Sequence, residues 1–399
     1  LAAVWSFAGM AADWPQWRGL QRDNISPETG LLRAWPEGGP VLAWSASGLG
    51  AGFSSPAVVD YVTYITGMRE ADSIGVLYAF DAEGAVLWQS PYGPEWTGMR
   101  PGTRSCPVVA GDSVFLLTGP GRVVCFARAD GAMRWTVDIA ERFGGTAPVA
   151  GFAESLLVVN DTVVCTPGGK DATVVALDVA AGETVWATKG FSEQSAYCSP
   201  ILVDWGGTQQ VITITAYSVV GVDAKSGEVL WKVPQDVGAK DPNHSISPVF
   251  ENGLVYATSG HGDGGQLIVL SNDGRNATVR WKDSILNCLH GGVTMHGGHI
   301  YGTDSKGKWV CLDAATGAVR YEEKGVGRGS LVMTDGLLIC YGEKGTVGLA
   351  PATPEAYALT SAFKVEVGEG PHWAHPVLSN GRLYLRHGDV LLAYAVGKP

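Results

Sequence analysis

The sequence predicts an all-β fold: an eight-bladed β-propeller of four-stranded antiparallel blades, closed by an N-terminal strand that completes the C-terminal blade. Three observations carry this. An acidic or glycine-containing turn followed by an aromatic residue recurs along the chain, and a head segment precedes each repeat. The last repeat is one strand short, while a matching strand stands near the N-terminus. Self-similarity at a fixed period is the signature of radial or stacked repeats, whose units cannot bury their own faces alone.

The aromatic markers are Trp44, Trp88, Trp135, Trp186, Trp231, Trp281, Tyr321 and a degenerate Phe363, spaced by 44, 47, 51, 45, 50, 40 and 42 residues. The fullest copy runs Asp223-Ala-Lys-Ser-Gly-Glu-Val-Leu-Trp231. Each repeat opens on a head such as Ser55-Pro56, Cys106-Pro107, Ser199-Pro200, Ser247-Pro248 or His375-Pro376. Asn252-Gly253, Asp335-Gly336 and Asn380-Gly381 then predict two-residue hairpin turns, because only residues tolerant of positive φ suit the primed turn types. Apolar runs such as Gln266-Leu-Ile-Val-Leu-Ser271 supply the next strand before the aromatic one. One repeat therefore reads as four strands, the blade of a propeller.

After His375 the sequence offers strands near 375–379, 382–386 and 390–396 and no fourth. Val41-Leu-Ala-Trp44-Ser45 carries the orphan marker, so the two ends are expected to share a blade and remove the free sheet edges. Residues 41–399 then form a single propeller domain, 13–40 an N-terminal extension, and 1–12 the remnant of a signal peptide. That last segment is small and apolar with no charge, and too short to span a bilayer.

Composition agrees. The 399 residues include 55 Gly and 14 Trp, with 28 Lys+Arg against 39 Asp+Glu for a net charge of −11. Only 17% of residues are charged, which excludes a disordered chain, and the negative balance excludes a nucleic-acid-coating one. The seven cysteines form no CxxC pair. Cys125 and Cys311 recur at one repeat position, and Cys106 and Cys198 at another, which marks them as buried small hydrophobes.

The turn-plus-Trp pattern resembles the tryptophan-docking repeat of quinoprotein-type propellers, the PQQ-like family related to bacterial quinoprotein alcohol dehydrogenases and to BamB. The resemblance covers the whole chain, and Asp13-Trp-Pro-Gln-Trp-Arg-Gly19 resembles the start of such proteins. It implies that the repeat tryptophans act as fasteners between adjacent blades. It specifies fold better than function.

Function is expected where loops enter the innermost strands, at the mouth of the central channel. Arg104, Tyr197, His244, His290, Arg328, His372, Trp373 and His375 fall there by position, with Phe53 beside them. Cationic and aromatic groups converging in an acidic chain point to an anionic ligand. The leading expectation is an exported binding or scaffold protein, periplasmic or secreted and monomeric, using this mouth for an envelope partner protein or a small anionic ligand. It has no nucleic-acid partner and no transmembrane segment. The second expectation is a compact PQQ-dependent dehydrogenase acting on an alcohol or sugar, with calcium.

By resemblance, that chemistry needs a Trp floor, a disulfide ring of adjacent cysteines, calcium held by oxygen ligands and an Asp base. The adjacent cysteines are absent. Glu95, Glu193, Asp236, Asp241 and Asn243 offer oxygens but no motif gathers them, whereas calcium takes six to eight. No catalytic base and no metal ligand is assigned. His261-Gly-Asp263 and His296-Gly-Gly-His299 read as surface turns.

Overall fold

The computed structural model describes residues 12–235, 243–260 and 264–398. The expected signal remnant, apart from Ala12, lies outside them, as do Asp236, Asp241 and the His261–Asp263 turn. Eight antiparallel sheets follow one another along the chain and close into a propeller. The first blade comprises Ala57–Val59, Val62–Met68, Ile74–Phe80 and Val86–Pro94. The hairpin turns have the backbone that their sequences demand: φ is 50° and 80° at Asn252-Gly253 and 57° and 68° at Asn380-Gly381.

The ring closes as the incomplete last repeat predicts. Val377–Ser379, Arg382–His387 and Val390–Ala395 form three strands of the eighth blade. Val41–Ala46 adds the outer one, antiparallel, with Trp44 opposite Ala393. Arg386 fastens the inner seam: buried between the eighth and first blades, it donates to Ser54 Oγ and to the Thr66 carbonyl, each at 2.6 Å.

Neighbouring blades are joined by the repeat aromatics. The indole nitrogens of Trp88, Trp135, Trp186 and Trp281 donate to the carbonyls of Arg128, Val179, Ala224 and Ala314 on the following blade, at 3.0–3.3 Å. Trp186 also lies flat against Gly227, where φ is +76° and a Cβ would come within 2.6 Å of the ring. Trp231 departs from this pattern, donating to Gln210 Oε1 in its own blade at 2.6 Å. There Trp205 makes the inter-blade bond instead, to the Ser271 carbonyl. The degenerate Phe363 keeps the packing role, set against Gly39 just before the closing strand. Trp44 and Tyr321 are both buried in the inter-blade core.

One feature of the fold was not expected. Within the 13–40 extension, Ile25–Ser26 forms a short strand parallel to Gly329–Thr334, so the seventh blade has five strands. Rather than lying outside the ring, residues 12–28 fold into its centre. Trp14 exchanges both backbone bonds with Val58 of the first blade, and the Pro15 carbonyl accepts from Val109 of the second. Arg22 donates to the Ser155 and Leu156 carbonyls of the third. Arg18 donates to the Ser247 and Val293 carbonyls of the fifth and sixth. Asn24 bonds the seventh through Leu331, and Ser379 Oγ of the eighth donates to the Ala12 carbonyl.

The head residues form a collar around this segment. Ser55 N–H donates to Cys106 Sγ, Cys106 N–H to Ser155 Oγ and Ser155 N–H to Ser199 Oγ, linking four consecutive blades. All seven cysteines are buried and unpaired. Cys106 and Cys198 lie in this collar region, and Cys125 and Cys311 stand opposite the docking residues Trp135 and Tyr321.

Candidate functional site

Strands alternate in direction, so every loop joining an outer strand to the next inner strand opens on the same face. On that face lies a cavity of about 450 Å³ to which all eight such loops contribute. In chain order the contributions include Phe53, Arg104 with Met99 and Arg100, Ser155 with Ala150 and Ala153, and Ser199 with Tyr197. Ser245 with Asn243, His290 with Leu289, Arg328, and Trp373 with His375 complete the wall. Trp17, from the central N-terminal segment, also lines it.

Six of the eight residues singled out from sequence thus meet in one place: Arg104, Tyr197, His290, Arg328, Trp373 and His375. Two do not. His244 is fully buried behind the wall with Nε2 3.3 Å from the Ala216 carbonyl. His372 turns away between the seventh and eighth blades, bonded to the Tyr341 hydroxyl at 2.5 Å and stacked on His387 with ring centroids 3.5 Å apart. Both occupy loop positions like the others, but loop position fixes the backbone and leaves the side-chain direction free.

The cavity is cationic and aromatic. The Arg100 guanidinium sits 5.0 Å from the Trp373 ring centroid and that of Arg104 sits 6.0 Å from Phe53, the geometry of cation–π contact. Arg104 is otherwise held by backbone carbonyls, including Gly102 and Met99. Arg328 forms a bidentate pair with Glu343 at 2.7 and 2.8 Å, and that carboxylate stands 3.9 Å from His290 Nε2. No Asp or Glu side chain lines the cavity among the described residues.

Burial keeps the site histidines neutral near pH 7, because a charged imidazole loses its hydration there. It lowers His290 to about 4 and His375 to about 3. His375 Nε2–H donates to the His290 carbonyl at 2.7 Å, which fixes its tautomer. Ring nitrogens of Trp373 and His290 are buried without a hydrogen-bond partner. Such groups are costly unless something else satisfies them.

Positive charge continues beneath the wall. Arg18 and Arg22 are fully buried, and although burial lowers each to about 10, both stay cationic at neutral pH. The carboxyl group facing Arg22, Glu154, is pushed by burial up to about 8 and accepts a bond from the Thr166 N–H. Mostly protonated at pH 7, it does not neutralise the arginine.

The oxygens considered for calcium are dispersed. Glu95 is committed to the backbone N–H groups of Trp96 and Gly119, and Glu193 accepts from the hydroxyls of Thr215 and Ser218. Asn243 alone of the described three lines the cavity. No cluster of three or more His, Cys, Asp or Glu able to hold a metal occurs among the described residues. His296 is exposed and His299 Nδ1 faces the Gly297 carbonyl of its own turn, as a surface turn requires.

Trp17, Arg100 and the three serines were not assigned to the site from sequence. Ser155 and Ser199 share the head position, two residues before the inner strand, whereas Ser245 lies two residues ahead of the Ser247 head. Trp17 precedes the repeats, so the repeat register gives it no address.

Fold and site together define a tryptophan-docked, eight-bladed propeller with an axial cavity. A family model described as outer membrane protein assembly factor BamB matches residues 73–323 and 265–395, and the chain belongs to that family of PQQ-repeat propellers. Among curated proteins, outer membrane protein assembly factor BamB of Yersinia pestis is 25% identical over 259 residues, 60% of this chain and 57% of that protein. Its namesake from Moranella endobia is 23% identical over 240 residues, 56% and 53% respectively. The match therefore spans a little over half of each relative. The crystal structure of BamB from Moraxella catarrhalis superposes with a TM-score of 0.63 at 16% identity, covering 89% of this chain and 99% of that one. Quinohemoprotein alcohol dehydrogenase from Comamonas testosteroni gives 0.70 at 13%, covering 97% and 81%. At such identities the likeness is one of fold.

Proposed function

We propose that this chain is an exported binding propeller whose axial cavity takes a small, planar, anionic ligand, free or carried by a partner protein of the cell envelope. One observation carries the reading: eight loops converge on a cavity lined by arginines and aromatic rings, with no lining carboxylate among the described residues, in a chain of net charge −11. The arginines attract and orient carboxylates, and the rings supply stacking surfaces. Similarity to proteins named as outer membrane protein assembly factors supports placement outside the cytoplasm and an envelope partner. Among the described residues no helix is long and apolar enough to cross a membrane. A monomer fits a ring whose blades satisfy one another.

The second reading, a PQQ-dependent dehydrogenase, draws on the same cavity. Arg100, Arg104, Arg328 and the two tryptophans suit the carboxylates and flat rings of that quinone. The described lining supplies neither the carboxylates to hold calcium nor one to take a proton from a substrate hydroxyl. Binding is thus favoured over turnover.

Equilibrium titration separates the readings. Purified protein is titrated with naphthalene-2,6-dicarboxylate and with PQQ, with and without calcium, and dye reduction is followed with alcohols and sugars. Saturable binding without dye reduction is expected. Substrate-dependent dye reduction would establish the dehydrogenase, and no binding of either probe would remove the ligand.

A further inference from the structure

We infer that residues 12–28 are a plug inserted along the propeller axis and that Trp17, at its tip, is the stacking floor of the cavity. The binding site is then assembled by the N-terminal segment and is not a property of the blades alone. This deepens the reading above and rests on it for the ligand; the plug itself does not.

The geometry leads there step by step. A radial array of eight blades leaves the inner strands as an exposed edge around the axis, with backbone groups that need partners. The segment supplies them. Trp14 and Pro15 pair with the first two blades, Ile25–Ser26 extends the seventh, and the guanidiniums of Arg18 and Arg22 reach the carbonyls of four residues in the third, fifth and sixth. Between the entering and leaving arms the chain turns at Trp17. Its Nε1–H donates to Ser247 Oγ at 3.0 Å, and its ring rests on His375. The indole is thereby fixed from the fifth and eighth blades, three blades apart around the axis, and only partly buried, with its free surface in the cavity. Arg18, the next residue, and Arg22 bury their guanidiniums in the same segment and add positive charge there.

The cysteines give a readout independent of any ligand. Cys198 and Cys288 lie within electrostatic reach of Arg18, and Cys106 and Cys198 of Arg22, and all three thiols are buried. While the plug is seated they are shielded from solvent.

The test combines maleimide labelling, read per cysteine by mass spectrometry, with titration by naphthalene-2,6-dicarboxylate. Trp17→Ala should weaken probe binding about tenfold or more, the loss expected of one aromatic stacking surface, while Trp17→Phe stays within about threefold of wild type. Arg18→Lys and Arg22→Lys, which keep charge but lose the fork geometry, should speed labelling of Cys106, Cys198 and Cys288 and leave Cys125 and Cys340 slow. Saturating probe should slow that labelling. Unchanged probe affinity in Trp17→Ala, in protein that wild type binds through, would overturn the floor assignment. Labelling unaffected by both lysine variants would overturn the plug. If wild type binds no probe the ligand reading fails, and the labelling pattern still decides the plug.

Discussion

The indole of Trp17 and the imidazole of His375 meet at the propeller axis, with ring centroids 4.3 Å apart and planes at 46°. One residue precedes the first blade and the other heads the last, so the two ends of the chain meet at the cavity. They meet again at the rim, where Val41–Ala46 completes the sheet that His375 introduces. The stretch before the first blade therefore contributes both to the cavity, through Trp17, and to the closing sheet, through Val41–Ala46.

Arg104 has no carboxylate partner within salt-bridge distance among the described residues, whereas Arg328 is paired with Glu343. Arg104→Ala should weaken a dicarboxylate probe by about 1.5–3 kcal/mol, the worth of a charged hydrogen bond. Arg328→Ala should do more harm, since it leaves the Glu343 carboxylate unneutralised beside the cavity. Glu343→Gln should tighten binding. Calorimetric titration of the three variants checks the order, and identical affinities would refute it.

Stability should fall on both sides of neutrality. His290 and His375, lowered in the fold, bind protons in the unfolded chain first, so their contribution is present above about pH 6.5 and is lost as pH falls toward 4 and then 3. Glu154, raised to about 8, acts in the opposite sense: its contribution is complete below the unfolded carboxyl value and is lost as pH rises to about 8. Glu154→Gln should therefore flatten the alkaline limb of a Tm-against-pH curve above about pH 6.5 and steepen the acid limb between about 4.5 and 6.5, where Glu154 opposes the two histidines. An unaltered alkaline limb would contradict this.

Docking tryptophans should matter in proportion to their burial between blades. Trp186 is 7% exposed and spans two sheets, so Trp186→Ala should cost about 3–5 kcal/mol in denaturant unfolding. The partner side predicts the same weakness: Gly227→Ala combines a φ of +76° with a Cβ pressed into the Trp186 ring. The two substitutions should be less than additive, because removing the ring relieves the clash.

The closing strand can be tested at Gly39, where φ is +96° and a Cβ would lie 2.8 Å from Phe363 Cγ. Gly39→Ala should destabilise by about 1–3 kcal/mol through strain and contact. Gly38→Ala, with φ of +81° but no atom within 4 Å, carries the strain without the contact and should cost less. Equal losses would show that Phe363 is not a docking residue.

Blade number, strand count and closure were legible in the sequence because each repeat restates them: Asp223 to Trp231 shows the turn and its fastener, and the truncated repeat after His375 shows the gap that Val41–Ala46 fills. The cavity wall was legible for the same reason at Arg104 and Arg328, three or four positions before the head of their repeats, and at His290, slightly nearer to its own. His244 and His372 share that address too, but their side chains follow local partners, Ala216 and Tyr341, that no repeat pattern encodes. The central segment was invisible. Trp17 acts through the Ser247 hydroxyl, and Arg18 and Arg22 through carbonyls, all more than a hundred residues distant, and Ile25–Ser26 is too short to show alternation.

A crystal structure of the protein soaked with naphthalene-2,6-dicarboxylate tests the central claim most directly. The expected result is one probe molecule in the axial cavity, its ring against Trp17 or Trp373 and its carboxylates on Arg104 and Arg100. Density confined to the outer blade surfaces, or an empty cavity at concentrations that saturate other dicarboxylate sites, would contradict it.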